Sequence, residues 1–93
     1  MSIKNEWINR IASADNEFIR IYKDKDEYVI EIDMWYGAKK ILKTVNCEEI
    51  VYDEDELSGI GDIFYNDRTY TFMDVCDEEK ILEIVADEII MIE

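Results

Sequence analysis

In the stretch EYVIEIDMWY, residues 27–36, apolar and polar positions alternate. Tyr28, Ile30, Ile32, Met34 and Tyr36 fall on one side, and Val29, Glu31, Asp33 and Trp35 on the other. A period of two marks a strand with one face on a core. The first set is the expected core face and the second is expected to be half wet. EFIRIYK (17–23) precedes it across the polar turn Asp24-Lys25-Asp26, so the two segments predict a hairpin. Gly37 breaks the pattern, and KKILKTVNCEEIVY (39–52) predicts a third strand with a kink near Asn46 to Glu49. Further strands are expected at IFY (63–65), RTYTFMD (68–74), KILEIVA (80–86) and EIIMIE (88–93), with turns at Asn66-Asp67 and Asp77-Glu78. The tail EEKILEIVADEIIMI has a second reading as a helix, being dense in apolar residues, Glu and Lys. Its many Ile and Val favour strands, because β-branched side chains lose rotamer freedom in a helix.

The first residues follow a different period. Ile3, Trp7, Ile8 and Ile11 recur at the spacing of one helix face, Ser2 can cap the N-terminus, and Asn5, Asn9 and Arg10 fall on the wet side. This predicts a helix over residues 2–13 with Trp7 in the core. The sum is an α+β fold: one N-terminal helix packed on a mostly antiparallel sheet of five to seven strands. No linker, repeat or low-complexity segment divides the chain, so residues 1–93 read as a single domain.

Composition narrows the function more than the fold. The 93 residues are 48% hydrophobic and use Trp, Tyr and Phe, which a disordered acidic tail would lack. The net charge is −14, and its placement matters more than its size. Residues 1–46 hold eight bases and eight acids, whereas residues 47–93 hold two bases and sixteen acids. The whole excess lies in the second half. Nucleic acid and anionic membranes are poor partners for such a surface, and a basic protein is a good one. Lys39, Lys40 and Lys43 follow Trp35 and Tyr36, a pattern that can bind single strands; here they are expected instead to offset neighbouring acids.

Histidine is absent, which removes the usual neutral-pH proton carrier, the Ser-His-Asp and Cys-His machineries and any zinc site built on imidazole. No phosphate-binding loop, dinucleotide fingerprint, GxSxG or HExxH occurs. Acid pairs such as Asp53/Asp55, Glu31/Asp33 and Asp74/Asp77 are uninformative, because 24 acids in so short a chain pair by chance. The expectation is a protein without catalytic activity or cofactor. Cys47 and Cys76 lack CxxC spacing, and two lone thiols with no apolar leader suggest a reducing, cytoplasmic setting, with a bridge between them as the other option.

The stretch VYDEDELSGIGD (51–62) carries five carboxylates and no base. A calcium loop begun at Asp53 would need oxygen ligands where Leu57 stands and a bidentate Glu where Phe64 stands, so no metal site is expected. Two readings remain for it: a solvated turn in which Gly59 and Gly61 permit left-handed backbone, or a contact surface. Acids ringed by aromatics suit a basic partner, with carboxylates for Lys and Arg and rings for apolar and cation–π contact. The residues that would form such a surface are Trp35, Tyr52, Asp53, Glu54, Asp55, Glu56, Asp62, Tyr65, Asp74, Asp77, Glu78 and Glu79.

In size, charge and the acidic runs YDEDELSGIGD and DVCDEEKILEIVADE, the chain resembles two groups of small acidic inhibitors. One is bacterial immunity proteins; the other is phage-encoded inhibitors of defence nucleases, including anti-CRISPR proteins that act as nucleic-acid mimics. The resemblance implies a cytoplasmic protein that binds and inhibits a basic toxin, nuclease or effector. The alternative is a non-enzymatic assembly module that forms homo-oligomers through a sheet edge such as EIIMIE.

Overall fold

The computed structural model describes residues 7–11, 16–34, 37–57, 59–76 and 79–92. Six strands occupy most of them: β1 (Asn16–Asp24), β2 (Glu27–Asp33), β3 (Lys39–Tyr52), β4 (Gly59–Asn66), β5 (Thr69–Asp74) and β6 (Lys80–Met91). They form a closed antiparallel barrel in the order β1-β2-β3-β6-β5-β4. The expected α+β fold is therefore overturned. Helical backbone among the described residues is confined to α1 (Trp7–Ile11) and a 3-10 turn at Glu54–Glu56. The remaining positions of the expected 2–13 helix lie outside the described residues.

The reason is closure. β3 and β6 are long enough to serve two sheets. Residues 42–45 of β3 and 88–91 of β6 pair with each other beside β2 and β1, while residues 47–52 of β3 and 82–86 of β6 pair beside β5 and β4. The two sheets fold over one another, and a short seam, Asn16 with Ile60 and Glu17 with Gly59, joins their far edges. The core lies inside the barrel, so no helix is needed to cover an open face. Ile21, Ile30, Ile32, Leu42, Ile60, Phe72, Leu82 and Ile84 fill it. α1 plugs one opening instead. Trp7 stacks on Tyr70 and Phe72 with ring centroids 6.0 Å apart in each case, and its indole Nε1 donates to Ile89 O at 2.7 Å. Trp7 is thus core, as its sequence spacing suggests.

The bend in β3 falls where the sequence places a kink. The register shifts between Cys47 and Glu49, and Asn46 takes a left-handed φ of 54°. Such a bulge strands amide groups that no neighbouring strand can reach. Glu27, at the start of β2, satisfies them: its Oε2 accepts from Asn46 N at 2.8 Å and its Oε1 from Cys47 N at 3.2 Å. The buried Thr44 hydroxyl donates to Glu27 Oε1 at 2.7 Å and accepts from Tyr28 N at 2.9 Å. Asn46 Nδ2 then donates to Asp87 on β6 at 2.8 Å.

Other details depart from the pattern. Val29 and Glu31 are buried rather than half wet. Arg20 Nε and Lys39 Nζ reach Glu31 at 2.8 and 3.4 Å, which makes a buried carboxylate tolerable there. The tail is one strand rather than two, with Asp87 at its bend instead of in a break. The β4–β5 turn is Asp67-Arg68, one residue later than expected, and both take left-handed φ values, 49° and 67°. A two-residue turn of that type matches the strand twist. Cys47 and Cys76 are free thiols.

Two outcomes follow. Trp7→Ala removes the plug and both ring contacts, and is expected to destabilise the protein by about 3–5 kcal/mol in urea unfolding. Burial pushes the Glu27 carboxyl up, but bonds from Thr44, Asn46 and Cys47 and the charge of Lys43 outweigh it and hold it below its ordinary value. A carboxyl lowered on folding stabilises above its unfolded pKa and loses that effect as pH falls through the folded one. Glu27→Gln should therefore be less stable than wild type at pH 7. The gap should close as unfolding is repeated at pH values below the ordinary carboxylate range.

Candidate protein-binding surface

Six acids of the C-terminal half, Asp53, Glu54, Asp55, Glu56, Asp74 and Glu79, lie at one end of the barrel because two connections meet there. β3 ends at Tyr52, and the chain crosses to β4 through the 3-10 turn. Asp53 starts that turn: its Oδ1 accepts from Asp55 N at 3.0 Å and its carbonyl from Glu56 N at 2.9 Å. An aspartate at this position satisfies amides that the short turn leaves free. Leu57 then packs against the core and anchors the segment, while Asp53, Glu54, Asp55 and Glu56 stay exposed.

The second connection follows β5. Asp74 N donates to Glu79 O at 2.7 Å, and the Asp74 carboxylate accepts from Cys76 N at 2.6 Å. Val75 N donates to Gly59 O at 3.1 Å, which ties this corner to the start of β4. The two glycines of the acidic stretch explain the closeness. Neither has a positive φ. Their role is close approach: a Cβ on Gly61 would lie 2.9 Å from Asp74 O, and one on Gly59 would lie 2.8 Å from Val75 Cγ1. Left-handed freedom is not what these positions use.

The 53–56 carboxylates enter no ion pair among the described residues; the acids engaged there are Glu31, Asp24, Glu48, Asp87 and Glu83. Three bases of the N-terminal half have partners elsewhere. Arg20 and Lys39 hold Glu31, Arg20 also lies 4.7 Å over the Tyr22 ring, and Lys43 faces Asp24 at 4.0 Å. Burial pushes the Tyr52 phenol above its ordinary pKa, and the Glu54 carboxylate adds to the rise. Tyr52 is therefore half-buried beside the acidic turn with an acid close by.

The sequence-chosen residues do not all meet. Tyr52, Asp53, Glu54, Asp55, Glu56, Asp74 and Glu79 share this end, and exposed Asp62 lies a few residues along β4. Tyr65 does not belong. It sits at the far end of β4, roughly 20 Å from Gly59 at the usual strand rise, where its ring packs 4.5 Å from Tyr70. Trp35, Asp77 and Glu78 lie outside the described residues. Sequence reasoning missed Val75, 45% exposed beside Gly59, and Val51, 52% exposed before the turn. Both are single apolar residues next to acids, which is the only signal they carry in the sequence. They give the acidic end apolar anchors of the sort found at the centre of protein interfaces.

Among the described residues no three Asp, Glu, Cys or His side chains converge as a metal site. Glu31 of the Glu31/Asp33 pair is committed to two cations: burial raises its carboxyl, but Arg20 and Lys39 bring it below its ordinary value. No helix among the described residues is long and apolar enough to cross a membrane.

Gly61→Ala should force β4 away from the Asp74–Val75 corner, because the new methyl meets backbone rather than a movable side chain. The expected cost is about 1–3 kcal/mol in urea unfolding, with loss of protection at the Val75 amide in hydrogen exchange.

No family model matches the sequence, and neither a curated protein nor a solved structure matches it.

Proposed function

We propose that this protein binds and occludes a basic protein partner through the acidic end of its barrel, without catalysis. The partner class is a toxin, a nuclease or a nucleic-acid-binding effector, in the manner of immunity proteins or anti-CRISPR inhibitors. The observation that carries the reading is the Val75 amide on the Gly59 carbonyl, which holds the end of β5 against the start of β4 beside the 53–57 turn. It brings part of the C-terminal acid excess together in an exposed patch whose 53–56 carboxylates enter no ion pair among the described residues. Carboxylates held at a protein surface occupy the place of phosphates before a Lys- and Arg-lined groove, and the attraction is the one that draws such grooves to nucleic acid. Val75, Val51 and Tyr52 supply apolar contact within the charged field. Complementary fields of this kind raise association rates and make them fall with salt.

Assembly of identical copies through the edge of β6 is less favoured, because the Trp7 indole already occupies the Ile89 carbonyl in that strand.

The test is charge reversal. Wild type and a variant with Asp53, Glu54, Asp55 and Glu56 all changed to Lys are immobilised and exposed to a lysate of the native host. Wild type should retain a basic protein that elutes as salt rises. The variant, with an unchanged circular dichroism spectrum, should bind that protein at least about 100-fold more weakly, the scale of a few lost charge contacts. Equal retention by the two would show that the acidic end is not the contact.

A further inference from the structure

We infer that the partner is engaged by strand addition: an extended segment that alternates basic and apolar residues pairs with the open edge of β3 at residues 48–52. This rests on the acidic-end reading above and specifies how that end is recognised. β2 pairs with β3 only as far as Lys43, and the β1–β2 turn ends beside Asn46, where the Glu27 carboxylate caps the bulge. Beyond it, Glu49 to Tyr52 pair with β6 on one side and, among the described residues, with no strand on the other.

The direction of the backbone groups follows from alternation along the ladder. Ala86 N donates to Arg68 O, so it points towards β5 and away from β3. Counting back, Ile84 also points to β5 and Glu83 points to β3. Glu83 faces Val51, and Ile84 faces Ile50. The amide and carbonyl of Val51 are thus consumed by β6, while those of Ile50 and Tyr52 face outwards. Two residues at a spacing of two, whose donors and acceptors meet no strand among the described residues, make the template that an added strand requires.

The side chains around the edge choose the occupant. A groove runs between the edge and the β1–β2 turn, lined by Lys23, Asp26, Tyr28, Glu48, Glu49 and Ile50. Its charged members are Asp26, Glu49 and the Arg68-paired Glu48 against Lys23, and the acidic turn adjoins it at Tyr52. On the inner side lie Tyr28, Ile50 and Tyr52, all packed against the core. On the outer side lie Glu49 and Val51, both exposed. An added strand places alternate residues on these two sides. Apolar residues then meet Tyr28 and Ile50, and Lys or Arg meet Glu49 and Asp53. An acidic segment would meet like charge along the same row.

The experiment uses the full chain and a heptapeptide of alternating Lys and Val, with an alternating Glu and Val peptide as control, followed by amide hydrogen exchange in NMR. The basic peptide should slow exchange at Ile50 and Tyr52, leave the Val51 amide as protected as before, and bind at least about tenfold more tightly than the acidic one. Ile50→Pro removes an outward amide without touching the β6 ladder; Ile50→Ala trims the same apolar contact but keeps the amide, so the proline variant should bind the basic peptide about tenfold more weakly than the alanine variant. Perturbation confined to residues 53–56, with Ile50 and Tyr52 still exchanging freely, overturns strand addition and leaves the acidic-end reading standing. No binding at millimolar peptide, or equal binding by Ile50→Pro and Ile50→Ala, also overturns it, and the charge-reversal experiment then decides the acidic-end reading separately.

Discussion

The architecture depends on a carboxylate at the point where one strand has to serve two sheets. β3 can cross from the first sheet to the second only by bulging at Asn46 and Cys47, and the bulge leaves two amides without a ladder partner. Glu27 accepts both, and Thr44 orients it from beneath. An apolar residue at Glu27 would leave those amides stranded, with a penalty well above the gain of an ordinary hydrogen bond. Because β6 bends beside β3, the Asn46–Asp87 bond passes the constraint to the second long strand. Both sheets, and the barrel they close, hang on this junction.

The division of charge follows from the same geometry. Most bases of the N-terminal half lie on the first sheet or its turns, where Glu31 and Asp24 take up Arg20, Lys39 and Lys43. Of the two bases in the other half, Arg68 is held by Glu48 and Asp87, and Lys80 by Glu83. The acids of the β3–β4 connection face solvent and enter no ion pair among the described residues. Net charge alone would not have indicated that these four carboxylates stand exposed together.

Strands were legible in the sequence because a half-buried strand writes its two faces residue by residue, and 17–23, 27–33 and 39–52 all appear close to where the alternation puts them. The kink near Asn46 was legible too, since polar residues interrupt an apolar run there. Closure was not. It rests on two residue pairs between positions more than forty residues apart, Asn16 with Ile60 and Glu17 with Gly59, and no local period encodes them. Without closure, the spacing of Trp7, Ile8 and Ile11 reads as a helix covering a sheet. With it, the same residues serve a single helical turn that stops the end of a barrel. The acidic end was legible in composition, but its apolar anchors were not, and Tyr65 was misplaced because the length of β4 carries it away from the acids beside it in sequence.

Arg68 gives the β4–β5 turn a mechanical meaning. Its backbone is left-handed, its carbonyl takes the Ala86 amide, and its guanidinium spans Glu48 on β3 and Asp87 on β6, at 3.0 and 2.7 Å. A hairpin tip is ordinarily the most mobile part of a sheet. Here it is a rivet through three strands, set at the line along which the two halves of the barrel would otherwise hinge. The tip can swing away only by breaking its contacts to both long strands at once.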